Sequence, residues 1–172
     1  MSRRWVPTTV ILAVIALGAS GCAPSGSGDD SGKPLTAEVV FAAVESIGPG
    51  ACADDAADMF DAPGSTSTTP QCVRIDPEMR FSTSGGRAAL VAASEDADPT
   101  PKLIELRLES EDAAQLGDLT GKLVGRAAPQ NQMAIIVDGE VRSMPAVMSE
   151  LSDEVVNISG DRLQELYDRL TG

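Results

Sequence analysis

The three cysteines of this 172-residue chain offer the most distinctive covalent chemistry, because a thiol can carry a lipid or form a disulfide. Cys22 follows an Ala-Ser-Gly tripeptide (residues 19–21), after a short apolar segment (residues 10–17) that Arg3 and Arg4 precede. A charged start, a short apolar stretch and small residues before a cleavage point are typical of a secretory signal peptide. The apolar stretch is too short for a membrane-spanning helix. The sequence therefore predicts export, with residues 1–21 as the signal peptide.

A cysteine directly after Ala-Ser-Gly also predicts a bacterial lipobox, although Ala19 stands where Leu is more usual. Cys22 would then carry a diacylglyceryl group on its thiol and would be the first residue after cleavage. Two or more acyl chains, at roughly 0.8 kcal/mol per buried methylene, would hold the protein on the membrane stably. The alternative is an ordinary signal peptide with an incidental Cys22. Residues 2–4 hint at twin-arginine export, but residues 5–7 complete that motif poorly, which favours the general secretory route.

The other two cysteines, Cys52 and Cys72, form an even pair in a chain that is predicted to be exported. Because the compartments outside the cytoplasm are oxidising, we expect a disulfide between them. The bridge would close a loop of about 21 residues and contribute about 3 kcal/mol on the chain-entropy model. It requires Cα atoms about 4.4–6.8 Å apart. Two free thiols or a reactive cysteine are the alternatives, although neither residue lies beside a Lys or a candidate base.

Candidate catalytic and metal sites are few, because the chain contains no histidine. This excludes Ser-His-Asp and Cys-His catalysis, His-ligated zinc and an imidazole switch near neutral pH. Carboxylates could bind calcium, but the acidic cluster lacks the glycine and terminal Glu of an EF-hand. We therefore expect no catalytic residue, no metal and no cofactor, so that the protein is not an enzyme. The carboxylates considered are Asp54, Asp55, Asp58 and Asp61, and a second acidic turn with Glu95, Asp96 and Asp98.

The charge balance restricts the partners of the protein. The formal net charge is −13, and removal of the signal peptide leaves 11 basic and 26 acidic residues. Such a chain has no basic excess with which to bind nucleic acid or anionic headgroups by itself. Residues 22–34 are rich in Gly, Ser, Pro and Asp and are predicted to be a flexible tether. Residues 35–172 are enough for one domain.

The pattern of apolar residues predicts an α+β fold. Asp138-Gly139 between two β-rich runs is a strong signal for a two-residue hairpin, because both turn positions favour φ > 0. We predict an antiparallel sheet with helices packed on one face. The predicted helices cover residues 37–47, a segment capped by Ser110 and a terminal segment capped by Asp161. The predicted strands cover residues 72–75, 87–93, 102–109, the two arms of the hairpin, and 155–160.

The order of motifs in the C-terminal half, about residues 103–172, resembles the extracytoplasmic head subdomain of the SecD/SecDF family. The matching residues are Leu119 and Thr120 in the helix, Asp138 and Gly139 at the hairpin tip, Ser143, Pro145 and Val147 in a Ser-x-Pro-x-Val strand, and Ile158, Ser159 and Gly160. The family's Ile-x-Gly-Gly connector is replaced by Leu-Ser-Asp-Glu (residues 151–154), and the Phe-Thr that follows its last strand is missing. The likeness implies a SecDF-head-like fold.

The family's proteins are membrane accessory factors of protein export, whose head is thought to hold emerging polypeptide. The resemblance implies contact with exported or membrane polypeptides, while the motor role depends on transmembrane helices and a base subdomain that this sequence does not show. We expect a non-catalytic lipoprotein, anchored through Cys22 to the cell membrane and facing the extracytoplasmic side. The alternative is a binder or sensor of small molecules or cell-wall fragments. Arg142 is expected to pair with Glu140 or Glu154, and Met133, Met144 and Met148 to fill the core rather than to hold peptides.

Overall fold

The computed structural model describes residues 32–53, 56–62, 70–92 and 102–172, which form part of one unit that spans residues 31–172. The predicted signal peptide, Cys22, and the acidic residues 54, 55, 95, 96 and 98 lie outside the described residues. The strands are β1 (Lys33–Pro34), β2 (Val39–Pro49), β3 (Met59–Ala62), β4 (Gln71–Thr83), β5 (Arg87–Ala92), β6 (Lys102–Arg107), β7 (Met133–Val137), β8 (Glu140–Ser143) and β9 (Val155–Ile158). The helices are α1 (Ser110–Leu123) and α2 (Leu163–Thr171).

Every strand pairing in these ranges is antiparallel, and the strands form two sheets. One sheet has the order β1-β5-β6-β9, and the other has the order β3-β4-β2-β7-β8. Both helices pack their apolar sides into a core that these sheets share. The α+β class predicted from the sequence is therefore confirmed, with the strands divided between two sheets. Strand β1 includes Lys33 and Pro34, which the sequence placed in the tether.

The helix predicted over residues 37–47 is wrong, because this segment is the long central strand β2. β2 pairs with β4 on one side and β7 on the other. Its neighbouring residues Phe41 and Ala42 are both fully buried, but they belong to different hydrophobic clusters on opposite faces of the sheet. A strand buried on both faces shows no polar alternation, so its apolar residues also fit a helical period.

Helix α1 and helix α2 are confirmed, and their first residues differ slightly from the prediction. Ser110 is the first residue of α1 rather than its cap, and its hydroxyl donates to Glu154 Oε1 at 2.7 Å. The residue before α2 is Arg162 in the left-handed conformation (φ 54°), where the sequence suggested Asp161. Differences of one residue at a helix end are common, because the terminal turns have few intrahelical hydrogen bonds.

Two hydrophobic clusters stabilise the fold. The larger lies between the helices and both sheets, and the smaller lies on the opposite face of the five-stranded sheet. Register shifts in β2 bend this sheet, and its end strands β3 and β8 approach each other with Cα–Cα distances within 8 Å. This bending helps to bury the smaller cluster, whose fully enclosed members are Ala42, Val44, Ala62, Val73, Ile75, Ala134, Ile136 and Val141.

Candidate functional site

A cleft of about 1420 Å³ opens where the two end strands of the five-stranded sheet meet the start of α2. Its walls are β3 with the segment before it, β8 with the hairpin tip, and the connection from β9 into α2. β3 and β8 each pair on one side only among the described strands, and they lie beside each other with Cα–Cα distances within 8 Å. A further strand between them would need a separation of about 9.5 Å, so the cleft, and not a free strand edge, is the feature that could hold a ligand.

The hairpin that forms one wall folds as the sequence predicts. Asp138 and Gly139 both have positive φ (53° and 73°), as a two-residue turn of this kind requires. Val137 pairs with Glu140 directly beside this turn. The turn thus fixes where β8 begins and which of its side chains face the cleft.

The motif residues of the sequence converge on this cleft although they come from two separate segments. Five of them line it: Gly139, Ser143, Ile158, Ser159 and Gly160. Asp138 and Pro145 do not line it, although Asp138 shapes the turn and the carbonyl of Pro145 accepts the Met133 N–H at 3.0 Å.

Arg142 of β8 has no paired residue on β7. Ser143 pairs with Ile135 and Val141 pairs with Ile136, so two neighbours on β7 face residues two apart on β8. Such a bulge turns the extra side chain away from the regular alternation, and bulges occur often beside functional sites. The Arg142 side chain lines the cleft and is only 14% exposed. The sequence did not predict this bulge.

The charge of Arg142 is balanced inside the site. Its Nη2 lies 2.6 Å from Glu140 Oε2, and Arg169 Nη1 of α2 lies 3.8 Å from the same oxygen. The predicted pairing of Arg142 with Glu140 is therefore confirmed. The alternative partner, Glu154, instead accepts the hydroxyl of Ser110.

Buried polar atoms without a hydrogen-bond partner accompany this ion pair. Arg142 Nε and Nη2 have none, because the close contact of Nη2 with Glu140 lacks hydrogen-bond geometry. Gln132 Oε1, which belongs to another residue lining the cleft, also has none. Such atoms cost free energy when they are buried, and because they are enclosed by protein atoms they are not presented to the cleft. The sequence did not single out Gln132.

The disulfide lies at the edge of the same cleft. Cys52 and Cys72 are bridged, with an S–S distance of 2.06 Å and Cα atoms 4.8 Å apart, inside the expected range. Cys52 lines the cleft and donates its N–H to Asp61 Oδ1 of β3 at 2.8 Å. The bridge and this hydrogen bond tie the segment after β2 to β3 and β4, and so hold one wall in place.

Two carboxylates of the first acidic cluster lie in the described residues, and both make local contacts. Asp61 caps the Cys52 amide, and Asp58 pairs with Arg80 at 2.9 Å. Within the described ranges, no group of three or more His, Cys, Asp or Glu side chains is placed to hold a metal ion.

Met residues near the hairpin differ from one another in burial. Met133 is buried in the larger cluster and Met144 packs partly against the smaller one, as expected for core residues. Met148 is 82% exposed, so the core role expected for it is wrong. The sequence could not distinguish these residues, because all three lie in similar apolar surroundings along the chain.

No helix in the described part of the chain is long and apolar enough to cross a membrane.

The antiparallel sheets and the two helices of the described residues make this an α+β domain. Comparison with known proteins gives its family. Residues 71–170 match the family model of the SecDF P1 head subdomain. The chain belongs to this family. The match begins at β4, earlier than the sequence motifs indicated, and it includes the motif residues of the hairpin and of β9.

The chain is similar in sequence to a SecD protein and in fold to SecDF. The protein translocase subunit SecD of Streptomyces coelicolor is 37% identical over 62 residues, which are 36% of this chain and 11% of that protein. A solved structure of SecDF, a membrane component that enhances protein export, has a TM-score of 0.53 at 14% identity and shares the fold. The match covers 80% of this chain and 62% of that one. The chain thus spans about a tenth of the length of the SecD relative and less than two thirds of the solved chain.

Proposed function

We propose that this protein is a membrane-anchored, extracytoplasmic module that binds polypeptides during protein export. The observation that carries the proposal is the cleft, because a SecDF P1 head fold lines it with residues of the family motif. The role includes neither catalysis nor ion-driven motion. The family match covers the head subdomain of SecDF, and the chain has no histidine for acid–base chemistry near neutral pH.

The shape of the cleft favours an extended polypeptide over a small molecule. Its volume of about 1420 Å³ exceeds the roughly 300–1,000 Å³ of ordinary small-molecule pockets. A cleft of this size can hold an extended segment through contacts to both its backbone and its side chains. Such recognition depends little on sequence, which suits a protein that meets many exported chains.

The anchoring part of the proposal rests on the sequence around Cys22. Lipidation there would place the domain at the outer face of the cell membrane, and the 11-residue separation from Cys22 to Lys33 would let β1 lie at most about 40 Å from the lipid. The acidic chain (net charge −13) would be repelled by anionic headgroups. The domain would therefore stand off the membrane where exported chains emerge.

Lipid attachment is tested by labelling cells with a palmitate analogue and separating membranes from soluble material. The native chain should be labelled and should sediment with membranes, whereas Cys22→Ser should be unlabelled and lose most membrane association. Labelling that survives Cys22→Ser would contradict the assignment of the lipid to this residue.

Polypeptide binding is tested by photo-cross-linking in intact cells. A photoreactive amino acid replaces Glu165, which lines the cleft on α2 and has a half-exposed side chain. The matched control replaces Asp118, an exposed residue of α1 that does not line the cleft. We expect newly exported polypeptides to cross-link from position 165 and not from position 118, and the yield to fall when synthesis is stopped.

Equal cross-linking from both positions, or no polypeptide from position 165 while a saturable cell-wall fragment stabilises the protein thermally, would contradict the proposal. The second result would favour a ligand sensor instead.

A further inference from the structure

We propose that the cleft binds polypeptide segments that combine apolar side chains with Lys or Arg. The proposal rests on the polypeptide-binding function and deepens it, because it names the class of segment that is bound. Two features of the cleft support it. Some of its apolar side chains are left partly exposed, and its carboxylates outnumber its guanidinium groups.

The apolar part of the lining consists of side chains that the fold does not cover completely. These are Ile47, Met59, Phe60, Met144 and Leu163. Ile47, Phe60 and Met144 pack against the smaller hydrophobic cluster and remain partly exposed beside it. Covering them with apolar groups of a partner is favourable, and methionine adapts to partners of varied shape. The cleft can therefore bury apolar side chains of a bound segment without requiring one fixed sequence.

The charged part of the lining is mainly acidic. Four carboxylates face two guanidinium groups, and these residues are Asp61, Glu140, Arg142, Asp161, Arg162 and Glu165. Arg142 is only 14% exposed and lies 2.6 Å from Glu140, so its charge is balanced within the protein. Four negative and two positive groups leave the lining with an excess of two negative charges.

Two of these carboxylates are accessible to cations of a partner. Asp161 is exposed in the connection from β9 to α2 and forms no ion pair with a described residue. Glu165 pairs with Arg169 at 3.0 Å and with Arg162 at 3.9 Å, but these three side chains are 39–71% exposed. Ion pairs this exposed contribute little stability, so Glu165 can also pair with a Lys or Arg of a bound segment.

Charge complementarity decides between the possible occupants of the cleft. An acidic segment would bring like charges beside Asp161 and Glu165, which is unfavourable. A second copy of this chain carries the same net charge of −13 and would be repelled. A basic segment with apolar side chains meets both parts of the lining. The preference concerns the composition of the segment rather than its exact sequence.

The test measures binding of three fluorescent ten-residue peptides to the purified protein by anisotropy. The first peptide contains three Leu, two Lys and five Ser. The second has Glu in place of Lys, and the third has Ser in place of Leu. We expect the first peptide to bind at least tenfold more tightly than either of the others, because it alone supplies both apolar area and cations.

Two double variants separate the cleft from the overall charge of the chain. D161N combined with E165Q removes two carboxylates of the lining and should weaken binding of the first peptide about tenfold. D118N combined with D153N removes the same charge from exposed residues that do not line the cleft, and the affinity should stay within about twofold. Equal weakening by both double variants would show that net charge alone attracts the peptide, and would overturn the proposal.

A direct readout of the site is given by the backbone amide signals of Ser159 and Gly160, which line the cleft. These signals should shift in ¹H–¹⁵N spectra when the first peptide is added to the wild type. Equal affinity for the first peptide and either of the others, or unchanged Ser159 and Gly160 signals at saturation, would overturn the proposal.

Cross-linking from position 165 distinguishes this failure from failure of the proposed function, since that variant keeps the other three carboxylates of the lining. If exported chains were still captured, polypeptide binding would survive and only the preference for basic, apolar segments would fail. Absence of both peptide binding and cross-linking would overturn both.

Discussion

Thr120 joins helix α1 to the loop before β9 through one buried hydroxyl. Its Oγ1 donates to the Leu116 carbonyl at 2.8 Å and accepts the Leu151 N–H at 2.9 Å. The sequence singled out Thr120 as part of a family phrase. The structure supplies the physical reason, because this residue satisfies a backbone donor in the connector where the family's glycines are absent.

Replacing Thr120 with Val should destabilise the protein by about 1–3 kcal/mol, because the Leu151 N–H loses its acceptor. The matched control is T171V. Thr171 is also buried and helical, but its hydroxyl donates only to the Tyr167 carbonyl, so its loss should cost less than about 1 kcal/mol. Urea denaturation measures both free energies of unfolding. Equal costs would show that the hydrogen bond to Leu151 contributes nothing.

The disulfide acts on the stability of the cleft wall rather than on its chemistry. Replacing Cys52 and Cys72 together with Ser should lower the free energy of unfolding by about 2–4 kcal/mol, as expected for a loop of this length. C22S is the control, because the same chemical change lies outside the domain and should leave unfolding unchanged. A double variant as stable as the wild type in urea would show that the bridge constrains nothing.

At the scale of elements, the hairpin is the part of the fold whose local sequence specifies it most completely. Gly139 has φ 73° and no atom within 4 Å of the position of an added Cβ, so an added methyl group would meet no neighbour. The cost of G139A is therefore purely conformational, about 1–2 kcal/mol. The control G121A lies inside α1, where the new Cβ would be 3.5 Å from Glu150 Oε2. Ala there should stabilise by about 0.5–1 kcal/mol.

Opposite signs for G139A and G121A in the same denaturation assay are the result expected from the backbone conformations. A stabilising G139A would contradict the turn geometry on which the register of β8 depends.

How much the sequence could predict differs between elements for physical reasons. β6 and the hairpin alternate or carry turn residues, so their local patterns agree with the fold. β2 is buried on both faces and matched a helical period equally well. Its identity as a strand depends on pairing with β4 and β7, which are distant in sequence.

The candidate site was predictable only in part. The turn residues and the final Ile-Ser-Gly were found from their order, and the structure brings Gly139 and Gly160 to one cleft. The bulge at Arg142 could not be predicted, because it is a property of the pairing between β7 and β8 and not of either strand alone.

At the scale of the whole molecule, the proposed function combines a lipid anchor at Cys22 with an acidic domain that carries a large cleft. Nothing in this combination requires catalysis, a metal or a cofactor. The proposed work of the protein is to hold an extended chain briefly outside the membrane, and the cleft provides the surface for it.

The measurement that tests this claim most directly compares binding to one polypeptide in its folded and unfolded forms. Labelled ribonuclease A, either native or reduced and carbamidomethylated so that it stays unfolded, is titrated with the purified protein. Both forms have the same amino-acid sequence apart from the blocked cysteines, so attraction between a basic and an acidic protein contributes similarly to each. We expect the unfolded form to bind at least tenfold more tightly, because only an unfolded chain can enter the cleft as an extended segment. Equal affinity for the two forms, or no binding of the unfolded chain, would contradict the account.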